Sequence, residues 1–170
     1  MNILPATAGD EYGIAMAHVS AWQTGYRGIV ADGFLDALDV AERAVRWQEV
    51  LRDRSCKLLV AKDGEHVLGF ASFGRSREAN AVSTDGEIWT MYVNPDSWRG
   101  GVGRALMKEA LTSLFNEGLK TVFVWVLRAN IRGIAFYSAC GLTLELESAR
   151  LFQLGGQELA EIVLVRRNAA

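Results

Sequence analysis

Cysteine, proline and histidine number only two each in this chain of 170 residues, and each scarcity excludes a class of protein. Cys56 and Cys140 are too few for a disulfide-stapled secreted scaffold, so both are expected as free thiols in a reducing cytoplasmic setting. His18 and His66 stand apart with no partner at metal-ligand spacing, so no metal is expected. With two prolines and 50% hydrophobic residues, the composition is that of a folded chain and not a disordered one. No apolar run nears the ~18 residues a membrane helix needs, so no membrane partner is expected. Pro5, Asp10 and Glu11 interrupt the start where a secretory leader would carry its apolar stretch. A basic surplus is missing as well. Eighteen Lys and Arg against 20 Asp and Glu leave a net charge of −2, which argues against a nucleic-acid partner. The length suits one domain, read here as residues 1–170.

What the chain does have is concentrated between Glu87 and Leu106. An apolar strand runs to Val93 and Pro95 stops it. Arg99-Gly100-Gly101-Val102-Gly103-Arg104 follows, and a helix-forming run opens at Ala105. Strand, glycine-rich turn and helix together present backbone N–H groups and a positive helix end to an anion. Glycine is expected there because a Cβ would hold the anion's oxygens away from the amides. A nucleotide P-loop would need Lys-Ser/Thr after Gly103, where Arg104-Ala105 stands. A dinucleotide fingerprint would need a small residue where Leu106 lies, and an acid after a second strand. Both are excluded by residues.

Around this motif, periodicity and punctuation predict strands at 2–6, 57–62, 66–74, 87–93, 121–127, 145–154 and 158–166. Helices are predicted from an Asp10 cap to about Tyr26, and over 41–51, 101–116 and 131–140. Asp63-Gly64 and Gly155-Gly156 read as hairpin turns. Residues 75–85 lack periodicity and read as a mobile loop. The order implies an α/β fold with a mixed sheet.

Trp98-Arg99-Gly100-Gly101-Val102-Gly103 resembles the acetyl-CoA-binding motif of the Gcn5-related N-acetyltransferase family, Gln/Arg-x-x-Gly-x-Gly/Ala, from its first glycine onward. Trp98 departs from the usual Gln or Arg. A second block resembles the same family: Val126-Leu127-Arg128-Ala129-Asn130, then Ala135-Phe136-Tyr137 through Gly141-Leu142, with Leu142 where Phe is usual. The resemblance implies a largely antiparallel mixed sheet with helices on both faces, its central strands splayed at the cofactor site. It implies an acetyl-CoA-dependent N-acetyltransferase that works by direct attack, without a covalent enzyme intermediate.

By the same resemblance the backbone of Met91, Tyr92 and Val93 pairs with the pantetheine arm, as an added strand would. Arg99, Gly100, Gly101, Val102, Gly103 and Arg104 take the pyrophosphate, and Asn130 either hydrogen-bonds the cofactor or caps a helix. Tyr137 matches the tyrosine that protonates the departing thiolate, a transfer from a phenol of pKa ~10 to a thiolate of ~8.5 that needs local help. Val93 N–H is the expected oxyanion donor. An alkylamine of pKa ~10.4 costs about 4–5 kcal/mol to deprotonate at neutral pH. Glu87, four residues before Met91, is the expected base, the alternative being a plain acid at a strand end.

The acceptor is less legible. Trp22 and Tyr26, one helical turn apart on a face shared with His18, are candidates for an aromatic wall around a cationic amine, with Trp89 as a further candidate. Core packing is the competing role for Trp22. A small-molecule amine is the expected acceptor, with a protein or peptide N-terminus, or a non-catalytic acyl-CoA-binding module, as alternatives. Many family members dimerise through their final strands, so a homodimer is an expectation of the resemblance.

Overall fold

The computed structural model describes residues 1–168, without the side chains of residues 146 and 147. Seven strands form one sheet: β1 (Asn2–Pro5), β2 (Lys57–Asp63), β3 (His66–Arg75), β4 (Asp85–Val93), β5 (Thr121–Leu127), β6 (Thr143–Leu154) and β7 (Gln157–Arg167). Their order is β1-β2-β3-β4-β5-β7-β6, antiparallel except for β4 beside β5. The helices are α1 (Glu11–Gly25), α2 (Asp32–Asp36), α3 (Val40–Asp53), α4 (Val102–Asn116) and α5 (Ile131–Ala139). The expected mixed, largely antiparallel sheet with helices on both faces is what the chain forms.

Alternation within β2 and β3 explains the two layers. Leu58, Val60 and Phe70 turn to one face and pack with Ile14, Ala15 and Trp47 of α1 and α3. Leu59, Ala61, Ala71 and Phe73 turn to the other and meet Leu106, Met107 and Leu114 of α4. Phe70 and Phe73 lie side by side on opposite faces, and burying each stabilises the fold by roughly 2–3 kcal/mol. Asp39 caps α3 by accepting from Glu42 N at 2.8 Å.

Two local expectations need correction. Asp10 precedes α1, but its carboxylate does not cap that helix. It turns back to Thr7 N at 2.9 Å and to Lys62 Nζ at 3.0 Å, so a buried acid ties α1 to β2. The short helix α2 was not anticipated, because five residues are too few to show a helical period. Among the described residues no helix is long and apolar enough to cross a membrane.

Candidate active site

The central strands separate where a ligand would enter. β4 and β5 pair only over Asp85–Glu87 against Thr121–Phe123. Beyond that point β4 keeps its partner β3 to Val93 and β5 keeps β7 to Leu127, so the two arms diverge. A bulge contributes: Ser72 pairs with Thr90 and Phe73 with Ile88, leaving Trp89 as the extra residue that bends β4. The free edge of β4 at Met91, Tyr92 and Val93 lines a cleft of about 630 Å³.

At the mouth of this cleft the chain turns sharply into α4. Arg99 is left-handed at φ 63° and Gly101 at φ 83°, a conformation costly for arginine and free for glycine. No side chain caps α4 and no acid lies in its first turn. The N–H groups of Val102, Gly103 and Arg104 therefore have no helical acceptor, and these residues line the cleft together with Arg99. These open amides and guanidinia fit a pyrophosphate. A Cβ at Gly103 would also stand 3.2 Å from the Phe136 ring, so α5 crowds this position from the other side.

The family model for the acetyltransferase (GNAT) family matches residues 20–142. The chain belongs to that family. YuaI, an uncharacterized N-acetyltransferase of Bacillus subtilis, is 33% identical over 166 residues, which is 96% of this chain and 91% of YuaI. The ribosomal-protein-alanine N-acetyltransferase of Brucella melitensis superposes with a TM-score of 0.77 at 20% identity, over 99% of this chain and 100% of that one. The Salmonella typhimurium protein yncA, crystallised with its cofactor acetyl-CoA, gives a TM-score of 0.74 at 21% identity, over 100% of this chain and 96% of that one. At such identities the structures speak for the fold alone.

In this GNAT chain α5 brings Tyr137 into the same cleft, its ring edge-on to Phe136 at 5.2 Å. Burial, then the neighbouring Tyr26 and Cys140, push the Tyr137 phenol well above its usual range, so it carries its proton at neutral pH. Tyr26, also lining the cleft, is shifted upward mainly by burial, with the Glu161 charge contributing. Asn130 takes the capping role: its Oδ1 accepts from Gly133 N at 2.9 Å at the start of α5.

Trp22 stands one turn from the cleft, 4.8 Å from Tyr26 and 6.1 Å from Phe34. It packs in a cluster with Val30, Leu35 and Leu127. Its Nε1 is buried and meets no well-aligned acceptor among the described residues. His18 stacks flat on Tyr92 at 4.7 Å and accepts from Trp47 Nε1 at 3.2 Å. Burial pushes its imidazole down to about 3, so it is neutral and structural.

Gly100, Asn130, Trp22, Trp89 and Glu87 lie outside the cleft lining, unlike the other expected site residues. The Glu87 carboxylate is 3% exposed and fully engaged. Arg77 Nη2 reaches one oxygen at 2.8 Å and Arg77 N reaches the other at 2.9 Å. Trp89 donates to Arg75 O at 3.3 Å and carries the Arg77 guanidinium over its ring at 4.5 Å. The loop expected to be mobile is thus tied at Arg77, and again at Glu78 by Arg150 at 2.8 Å.

Among the cleft residues not expected as site residues, two carry polar side chains that meet. Trp98 donates from Nε1 to Val93 O at 2.8 Å, and Arg132 of α5 lies over its ring at 3.7 Å. Arg132 also lines the cleft and adds a third cation to its mouth. Its position two residues after Asn130 was the available signal. Among the described residues no group of three or more His, Cys, Asp or Glu is arranged to hold a metal ion.

Proposed function

We propose that this GNAT protein moves an acetyl group from acetyl-CoA to a primary amine of a small molecule, by direct attack. One observation carries the reading: a free strand edge, uncapped amides of a helix N-terminus and a protonated tyrosine converge on one cleft. The β4 edge at Met91–Val93 takes the pantetheine arm as an added strand. The amides of Val102, Gly103 and Arg104, with Arg99, Arg104 and Arg132, hold the pyrophosphate. When bound, acetyl-CoA supplies the activated carbonyl carbon and the thiol leaving group.

Val93 N–H donates to the oxyanion as it develops. Tyr137 gives its proton to the departing sulfur. Glu87, held by Arg77 and outside the cleft lining, takes the acceptor's proton through water. The Arg150–Glu78 bridge joins β6 to the loop before β4. Cys56 and Cys140, both free, suit a reducing cytoplasm.

The test is thiol release from acetyl-CoA across primary amines, aminoglycosides, amino acids and short peptides. Release that requires a small amine and falls at least about tenfold in Tyr137→Phe supports the reading. Release with peptides alone would move the acceptor to a protein N-terminus. Binding of acetyl-CoA without turnover on any amine would favour the non-catalytic module.

A further inference from the structure

Charge is unevenly shared beside the acceptor wall. Arg77 is occupied by Glu87. Arg150 alone serves two carboxylates, Glu78 at 2.8 Å through Nη1 and Glu161 at 3.0 Å through Nε, while its guanidinium lies over Trp125 at 3.9 Å. Three acids against two arginines leave this group one negative charge in excess.

The register shows where that excess points. Glu161 pairs with Leu127 across β7 and β5, at the open end of the β5 arm. Leu127, and Leu159 two residues earlier on the same face of β7, both pack in the cluster that contains Trp22 and Tyr26. Glu161 therefore shares a face with the cluster that holds Trp22 and Tyr26, and its charge is felt at the Tyr26 hydroxyl inside the cleft, opposed in part by that of Arg132. Its side chain is 22% exposed, enough to be reached and dry enough to matter. Only one of its oxygens is held by Arg150.

We infer that Glu161 is the specificity-determining residue of the acceptor site: it receives the ammonium group of a cationic small-molecule amine beside Tyr26, which lines the cleft. The inference rests on the transferase reading for the identity of the cleft. Ammonium over a phenol face and beside a half-dry carboxylate gains from both. Neutral and anionic acceptors gain from neither.

The decisive experiment titrates the CoA-saturated protein calorimetrically with a monoamine, a diamine, an amino acid and a short peptide, in wild type, Glu161→Gln and Arg150→Gln. The expected result is that cationic amines bind the wild type and weaken at least tenfold in Glu161→Gln. CoA affinity stays within twofold, which also reports that this variant is folded. Arg150→Gln removes the competing cation and is expected to tighten amine binding. Equal amine affinity in wild type and Glu161→Gln overturns the inference, as does a preference for anionic acceptors or the failure of every amine to bind. A wild type that binds no CoA would overturn the transferase reading instead. The same amine titrations on the CoA-free protein would then still decide the role of Glu161.

Discussion

The indole N–H of Trp98 donates to the carbonyl of Val93 at 2.8 Å, tying the last residue of β4 to the turn that opens α4. The bond joins the proposed pantetheine edge to the proposed pyrophosphate cradle. Trp98 stands where the family usually carries Gln or Arg, and here the indole supplies a fixed brace in place of a ligand-facing donor. Arg132, lying over the same ring at 3.7 Å, restores a cation to the site from α5.

Removing that brace should cost cofactor affinity. Trp98→Phe keeps an aromatic surface and deletes the donor. A neutral hydrogen bond contributes about 1 kcal/mol, so acetyl-CoA should bind about fivefold more weakly by calorimetry. Unchanged affinity would show that the turn holds its shape without Trp98.

Gly103→Ala should disturb the site through α5. The new Cβ would stand 3.2 Å from Phe136, and overpacking of this kind costs about 1–3 kcal/mol. Thermal melting should show the loss, and Phe136→Leu in the same chain should recover much of it. Failure of the second substitution to rescue would return Gly103 to a purely ligand-facing role.

Tyr137→Phe should lower kcat by roughly 100-fold while leaving acetyl-CoA affinity nearly unchanged. Because the Tyr137 phenol is raised above its ordinary value, its proton is retained throughout the neutral and mildly alkaline range. The pH profile of kcat in the wild type should therefore show no tyrosine-dependent fall between about pH 7 and 9.5. A fall in that interval that vanishes in the variant would contradict the buried-phenol reading.

Acid should unfold the protein in two stages. His18 is held neutral, with its folded value near 3 against about 6.5 unfolded. As pH falls below about 6.5 the unfolded state gains a proton that the folded state refuses, so stability is lost from there toward pH 3. Asp10 acts lower. Burial raises it, but hydrogen bonds from Thr7 and Lys62 outweigh that and leave it below its ordinary 3.8. Its contribution is present above about pH 4 and is lost as pH drops through the lowered folded value. Denaturant melts across pH should lose the upper stage in His18→Gln and the lower one in Asp10→Asn.

How much was legible follows from the distance over which each feature is encoded. Thr121–Leu127 was readable to the residue, because β-branched and aromatic residues run unbroken from Thr121 to Val126 and carry their own strand signal. The anion turn was readable too, since its glycines, arginines and helix start are contiguous. Tyr137 was legible only by likeness to a family block. Glu87 shows the limit. Its spacing from Met91 was visible, but its occupation by Arg77 depends on how a loop without periodicity folds back over β4.

By itself the sequence determined the seven strands and the glycine-rich turn that opens α4, because each rests on neighbours in the chain. Only the tertiary structure decided the site's polar wiring. The divergence of β4 and β5 arises from pairing to different outer strands. The sharing of Arg150 between Glu78 and Glu161 joins residues 72 and 11 positions away from it. A side chain chooses such partners by geometry set by the whole sheet, and no local pattern in the chain records that choice.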